Sequence, residues 1–305
     1  MNREKIVVVG SSNTDMTVKS RSLPKPGETV LGGDFYMQQG GKGANQAVAV
    51  ARLGGRAVFV GKVGEDTFGA ASVAAYRADG IETAHVTATR RAPSGVALIM
   101  VDEGAENCIS VAPGANACLS PEDILAARAE FERASIVLLQ MEIPLPAIAQ
   151  AVELGHACGA RVILNPAPAQ PVPDGLLSRL YMITPNRTEA GMLTGVKVTD
   201  TESARRAARI LADKGVGRVV ITLGGKGVFV KDGAEEYCIP AERVEAVDTT
   251  AAGDTFNGAL CVALSEGQPL SDAVRFASRA AAIAVTRMGA QTSIPYRSEM
   301  KVETV

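Results

Sequence analysis

Residues 6–10 read Ile-Val-Val-Val-Gly, and residues 43–60 read Gly-Ala-Asn-Gln-Ala-Val-Ala-Val-Ala-Arg-Leu-Gly-Gly-Arg-Ala-Val-Phe-Val. The first run is short, apolar, β-branched and closed by glycine, the pattern of a strand buried on both faces. The second opens as a helix: Ala44, Ala47, Val48 and Ala51 recur at helical spacing, and Gly54-Gly55 ends it after Leu53. Val58-Phe59-Val60 then reads as the next strand. Outward from there, 136–139, 162–164, 181–183 and 219–223 are strand-like, with helical stretches at 146–158 and 201–214 among them. This alternation predicts an α/β fold, with a mainly parallel central sheet and helices on both faces.

One segment breaks the rhythm. Gly95 to Val101 and Cys108 to Ala112 are two strand-like runs joined by Asp102-Glu103-Gly104-Ala105-Glu106-Asn107, a polar, glycine-containing turn. Such a hairpin is no parallel crossover, so it is expected to project as a small β-strand lid. Within it Val96, Leu98 and Met100 share one face, and Ala97, Ile99 and Val101 the other. The turn-rich stretch from Leu23 to Val30 is expected to contribute further strands. The expectation is one domain over residues 1–305, with lid strands from about 14–40 and 95–112. The stretch Pro166 to Pro173 is too short for a domain linker.

Composition narrows the function. The 305 residues are 47% hydrophobic and 21% charged, ordinary globular values, with a net charge of −2. That balance disfavours nucleic acid, for which a basic patch is expected. Phosphate ligands stay open, because backbone N–H groups and helix starts bind them. The five cysteines form no CxxC pair and there are two histidines, which disfavours a zinc site or a histidine-based triad. No run approaches membrane-spanning length, and the opening residues lack the apolar stretch of a signal peptide, so a cytoplasmic location is expected.

Four motifs carry chemistry. Asp248-Thr249-Thr250-Ala251-Ala252-Gly253-Asp254 leads into an apolar-periodic helix running to about Leu264. Small residues there let a ligand approach free N–H groups at the positive helix end, an anion hole for a transferring phosphoryl group. Asp254, in the first turn, either takes a proton from an attacking hydroxyl or is a favourable first-turn charge. Gly40-Gly41-Lys42-Gly43-Ala44-Asn45 also opens a helix. It fails the Walker A spacing, since Tyr36 and Gly43 stand where Gly and Ser/Thr are needed. It is a turn exposing backbone to a polar ligand, or a plain helix start. Asn186 and Glu189 form a capping box or face Mg²⁺-bound phosphates. Thr222-Leu223-Gly224-Gly225-Lys226-Gly227 approaches a nucleotide or makes an ordinary glycine turn.

Taken together and in this order, these motifs resemble the ribokinase-like carbohydrate kinase family across essentially the whole chain. Residues 40–47 look like its first signature, Asp248 to Asp254 like its second, and Asn186-x-x-Glu189 like its magnesium-phosphate motif. Many relatives carry glycine where Ala251 or Ala252 stands. The resemblance implies ATP as phosphoryl donor and a small sugar as acceptor. Asp254 would be the base, with Ala252 and Gly253 in the anion hole. Asn13, Asp15, Gly41, Lys42, Gly43, Ala44, Asn45 and Glu142 would hold the sugar, with ribose the leading candidate. Asn186, Glu189, Thr222, Leu223, Gly224, Gly225, Lys226, Gly227, Gly253 and Ser278 would serve the nucleotide and its Mg²⁺. K⁺ would be held by Asp248, Thr250, Ala284, Arg287, Gly289 and Ser293, mostly through carbonyl oxygens.

Two rivals share the scaffold. A phosphosugar acceptor calls for cations, and only Lys42 among the sugar residues is cationic. A nucleoside acceptor calls for an aromatic platform, and the lid offers Ala97 and Ile99. A sugar-binding protein without catalysis has no use for Asp254 at an anion hole. Both lid faces are apolar, so one is expected to cover the sugar and the other to pair with the same lid of a second copy, giving a homodimer.

Overall fold

The structure is a computed structural model describing residues 5–104 and 106–300. In chain order its elements are β1 (Lys5–Val9), β2 (Asn13–Lys19), β3 (Asp34–Gly40), α1 (Lys42–Arg52), β4 (Arg56–Gly64), α2 (Thr67–Ala78), β5 (Glu82–Thr89), β6 (Gly95–Val101) and β7 (Asn107–Ala112). There follow α3 (Pro121–Ala126), α4 (Arg128–Phe131), β8 (Ala134–Leu139), α5 (Leu145–Ala157), β9 (Arg161–Leu164), α6 (Asp174–Leu177), β10 (Met182–Ile183), α7 (Arg187–Thr194) and α8 (Thr201–Asp213). The chain continues through β11 (Arg218–Thr222), β12 (Val228–Asp232), β13 (Glu235–Ile239), α9 (Ala252–Ser265) and α10 (Leu270–Ala284).

Why β1 forms where it does is visible in its burial. Ile6 and Val8 enter one core with α1, α9 and α10, while Val7 and Val9 enter a second core with α3, α5 and α8. A strand covered on both faces has no polar side to offer, which accounts for the unbroken β-branched run. Each of these side chains contributes roughly 1.5–3 kcal/mol on burial. The nine-stranded sheet runs β13-β12-β11-β10-β9-β8-β1-β4-β5. Its pairs are parallel from β11 to β5, while β12 and β13 add an antiparallel edge.

From β1 the chain proceeds to β4 on one side and later to β8 on the other. The carboxyl end of β1 is therefore the point where strand order reverses, and open α/β sheets form their binding crevice there. A four-stranded sheet, ordered β3-β2-β6-β7, springs from this crevice. β6 and β7 pair antiparallel as the hairpin reading expects, and Ala105 in its turn lies outside the described residues. The expectation of strands between Leu23 and Val30 is not met. Those residues form turns and irregular backbone joining β2 to β3, and the strands lie on either side of them. Two prolines and a glycine in four positions, Pro24, Pro26 and Gly27, favour turn over ladder. Among the described residues no helix is long and apolar enough to cross a membrane.

Candidate active site

The site is assembled at the carboxyl ends of the central strands. Ser11 to Asn13 follow β1, Gln140 to Glu142 follow β8, Asn165 follows β9 and Thr184 follows β10. The turn into α1 closes over them. Gly41 sits at φ 87° as the N-cap of α1, a left-handed conformation that glycine adopts without strain. Just before it, Gly40 lies against Asp15, and a Cβ there would meet Asp15 Oδ2 at 2.1 Å. The glycines of this motif therefore make room for a carboxylate as well as for a helix start. The N–H of Lys42 donates to Glu142 Oε2 at 3.1 Å, and Ser11 Oγ donates to the same oxygen at 2.6 Å. Asn13 is oriented by Asn116, whose Nδ2 donates to Asn13 Oδ1 at 2.8 Å.

At the other wall, α9 begins at Ala251, which has φ 57° and ψ 8° and is the one non-glycine residue with positive φ among those described. A left-handed alanine costs on the order of 1 kcal/mol. No side chain caps this helix start. The N–H groups of Gly253 and Asp254 lie in the first turn, where the helix itself offers no acceptor. The Ala252 N–H makes only a long contact, 3.3 Å, to Thr249 O. Asp254 is 6% exposed. Asn45 Nδ2 donates to its Oδ2 and Gln46 Nε2 to its Oδ1, each at 2.9 Å.

Electrostatics single out this cluster. Burial pushes the Asp254 carboxyl above its ordinary value, against the pull of Lys42 and the two amide donors. Asp15 is pushed up to about 6 by burial first, then by the charges of Glu142 and Asp254. Burial alone would lower the Lys42 ammonium, but Asp254, Glu142, Glu189 and Asp15 outweigh it and raise it. One cation thus faces four carboxylates, a field suited to a neutral, hydroxyl-rich ligand and hostile to a second anion.

Across the start of α9 lies a cavity of about 350 Å³. It is lined by Thr222, Gly224, Gly225 and Gly227, by Ala252 and Gly253 at the start of α9 and by Ser278 on α10, with Val228, Val244, Phe256 and Val285 making it apolar. This is the size and apolar character of a small-molecule pocket. Leu223 and Lys226 do not line it: Leu223 is buried in the core, and the Lys226 ammonium donates to Thr199 O. Asn186 and Glu189 form a reciprocal capping box at α7, with Asn186 Oδ1 accepting from the Glu189 N–H at 2.9 Å and Glu189 Oε2 accepting from the Asn186 N–H at 2.8 Å. Glu189 remains buried and within the field of Lys42.

The six residues expected around K⁺ lie in the loop before α9, at the end of α10 and in the loop that follows it. The Gly289 N–H donates to Asp248 Oδ2 at 2.9 Å, the Val247 N–H to Val285 O at 2.7 Å, and Asp248 Oδ1 accepts from both N–H and Oγ1 of Thr250. The Arg287 N–H donates to Ala284 O, and Ser293 Oγ to Ala290 O. These bonds draw the Asp248 carboxylate and the backbone of residues 284–290 together, and oxygen is the donor type a hard cation takes. Among the described residues no three His, Cys, Asp or Glu side chains gather as a metal cluster.

The sequence reading missed Ser11, Gln46, Asn116, Gln140, Asn165, Thr184 and Asn257, all of which bond to the named residues or to one another. The signal for four of them was present: Ser11, Gln140, Asn165 and Thr184 each follow directly, or after one glycine, on an apolar strand run.

A buried carboxylate between a polar crevice and an apolar cavity, beside uncapped helix N–H groups, is the architecture of a phosphotransferase for small hydroxylated molecules. The profile of the pfkB family of carbohydrate kinases matches residues 3–297, and the chain belongs to that family. It is 44% identical over 297 residues to the ribokinase of Haemophilus influenzae, covering 97% of each chain. It is 38% identical over 291 residues to the deoxyribokinase of Salmonella typhi, covering 95% of each. The structure of Arabidopsis thaliana ribokinase complexed with ribose and ATP superposes with a TM-score of 0.90 at 34% identity, covering 98% of each chain.

Proposed function

We propose that this protein transfers the γ-phosphoryl group of ATP to the 5-hydroxyl of D-ribose. The observation that carries the reading is Asp254: a buried carboxylate with both oxygens held by amide donors, in the first turn of an uncapped helix between the two pockets. Asn13, Asp15, Asn45 and Glu142 present acceptors and donors to sugar hydroxyls, and Gly41, Gly43 and Ala44 bring the backbone close. Asp254 accepts the proton of the attacking hydroxyl. The N–H groups at residues 252–254 stabilise the charge that develops on the transferring group. Lys42 offsets the surrounding carboxylates and stands with the sugar contacts. The nucleotide base lies in the cavity that Ser278 lines.

Two ions belong to the reading. Mg²⁺ would be held through water by Glu189 and Asn186, supplying charge neutralisation at the phosphates. The fit rests on a buried carboxylate in the field of Lys42, although its oxygens also serve the capping box. K⁺ would be held by Asp248 with oxygens from Thr250, Ala284, Arg287, Gly289 and Ser293, adding positive field beside the anion hole. A homodimer through the lid is supported by the outer face of the four-stranded sheet. Met37 and Leu98 flank Met16 there and Phe35 flanks Val18 on the same face, 54%, 55% and 59% exposed, whereas Ala97 on the inner face, opposite Asp15, is 6% exposed. The cytoplasm completes the reading, since it supplies ATP and keeps five free thiols reduced.

The test is ADP release with ribose, 2-deoxyribose, adenosine and fructose 6-phosphate as acceptors. Ribose should give the highest kcat/KM, because buried polar groups lose partners when a hydroxyl is missing. A higher value for adenosine or fructose 6-phosphate would overturn the reading, and one for 2-deoxyribose would reassign the acceptor within it.

A further inference from the structure

We propose that Gln46, together with Asn165, Thr184 and Asn257, forms a positioning circuit that holds the Asp254 carboxylate and the first turn of α9 in a single frame. The inference rests on Asp254 being the catalytic base, and it concerns residues to which no sugar contact is assigned.

The bonds close a loop. Gln46 Nε2 donates to Asp254 Oδ1 at 2.9 Å and to Asn165 Oδ1 at 3.1 Å. Gln140 Nε2 donates to Gln46 Oε1 at 2.6 Å. Asn165 Nδ2 donates to the Thr184 carbonyl at 3.1 Å, and Thr184 Oγ1 donates to Asn257 Oδ1 at 2.6 Å. Asn257 Nδ2 then donates to Gly253 O at 2.8 Å, one residue before the base. Gln46 is 0% exposed, Asn165 6%, and Thr184 and Asn257 2% each.

The direction of every amide follows from the ends of the chain. An ionised Asp254 and a backbone carbonyl at Thr184 accept only. Asn165 must therefore turn its Nδ2 to Thr184 and its Oδ1 to Gln46. That leaves Gln46 one orientation, with Nε2 between two acceptors and Oε1 toward Gln140. Both N–H bonds of the Gln46 amide are used, so the side chain cannot rotate without stranding a buried group. Asn45 alone would grip one oxygen of Asp254 and leave the carboxylate free to turn about its χ2. The second grip fixes its plane. Through Asn257 the same circuit fixes the carbonyl of Gly253, and with it the turn whose N–H groups form the anion hole. Misplacement by about 1 Å in such a constellation costs on the order of 10²-fold in rate.

The charged groups facing Asp254 are Lys42 on α1, Glu142 after β8, Asp15 on β2 and Glu189 on α7. None is altered by Gln46→Met, so in that variant a shift in the titration of the base reads the lost donor alone.

The experiment is steady-state kinetics of the full chain, with ribose and ATP, across pH. In Gln46→Met, which is similar in volume and has no donor, kcat should fall on the order of 10²-fold while KM for ribose stays within about threefold. The acid limb of the kcat profile should move up by about one pH unit, because the carboxylate has lost a hydrogen bond to its charged form. Gln46→Glu keeps an acceptor for Gln140 and should move the limb the same way. A folded variant with kcat within about twofold of wild type and an unmoved limb would overturn the proposal. So would failure of both variants to fold by circular dichroism, which would make the circuit structural. Asp254→Asn separates the levels: if it is inactive and Gln46→Met is not, the circuit alone fails, whereas an active Asp254→Asn removes the base reading and this inference with it.

Discussion

Replacing Asp15 by Asn should make the ligand-free protein more stable at neutral pH and less able to use its sugar. Asp15 is 7% exposed and its carboxyl is raised from 3.8 to about 6 by burial, by Glu142 and by Asp254. Its folded pKa exceeds the unfolded one, so the native state binds the extra proton between these values. Stability from this group is therefore fully present below pH 3.8, falls as pH rises through about 6, and is lost above it. A shift of about two units at ~1.4 kcal/mol each corresponds to about 3 kcal/mol at neutral pH. The stability gap between Asp15→Asn and wild type should grow from about 1 kcal/mol near pH 4.5 to about 3 kcal/mol near pH 7.5. For a chain of this size that corresponds to roughly 5 °C in melting temperature at the higher pH. Urea unfolding of both proteins without ligand at several pH values measures the gap directly. The variant should also lose kcat/KM for ribose while its affinity for the nucleotide stays near that of wild type. A gap that is constant with pH, or a variant less stable than wild type near pH 7.5, would refute the charge crowding argued here.

Three further outcomes are expected. Asp254→Asn, which keeps the helix-start polarity but removes proton acceptance, should lower turnover on the order of 10²–10⁴-fold with ribose binding preserved in equilibrium titration; turnover within a few-fold of wild type would leave Asp254 a first-turn charge. Potassium should support activity well above that in a bulky organic cation at matched ionic strength, because an ion beside Asp248 orients the loop into α9; equal rates would remove that site. Leu98→Asp, on the outer lid face, should abolish dimerisation in light scattering with KM for ribose altered less, whereas Ile99→Asp, on the face shared with Asp15 and Ala97, should raise KM with the dimer intact. A monomeric wild type would end the dimer claim.

Much was legible from residue order alone. The β-branched run at Ile6 to Val9 and the small-residue periodicity from Ala44 to Ala51 dictate a strand buried on both faces and a helix able to pack closely on it, since these patterns act over a few residues. The glycine clusters at 40–43 and 224–227, and the helix opening at Ala251 to Asp254, mark where backbone must stay accessible. The family resemblance then named sugar and nucleotide residues across the chain. Leu23 to Val30 shows the limit of local pattern: whether a turn-rich stretch pairs depends on which partners lie beside it, and here β2 finds β3 and β6 instead.

What only the tertiary structure decided is which groups meet. Asn45 and Gln46 lie more than two hundred residues from Asp254 in sequence, with separations of 209 and 208, yet each donates to one of its oxygens. Gln140, Asn165 and Thr184 read in sequence as polar residues after apolar strands. They become a hydrogen-bonded circuit because parallel strands deliver their carboxyl ends to one edge of the sheet, and buried amides must find partners there. The raised carboxyls of Asp15 and Asp254 follow from the same convergence: sequence supplies the acids and Lys42, but only folding removes the water and sets the distances that decide their charge.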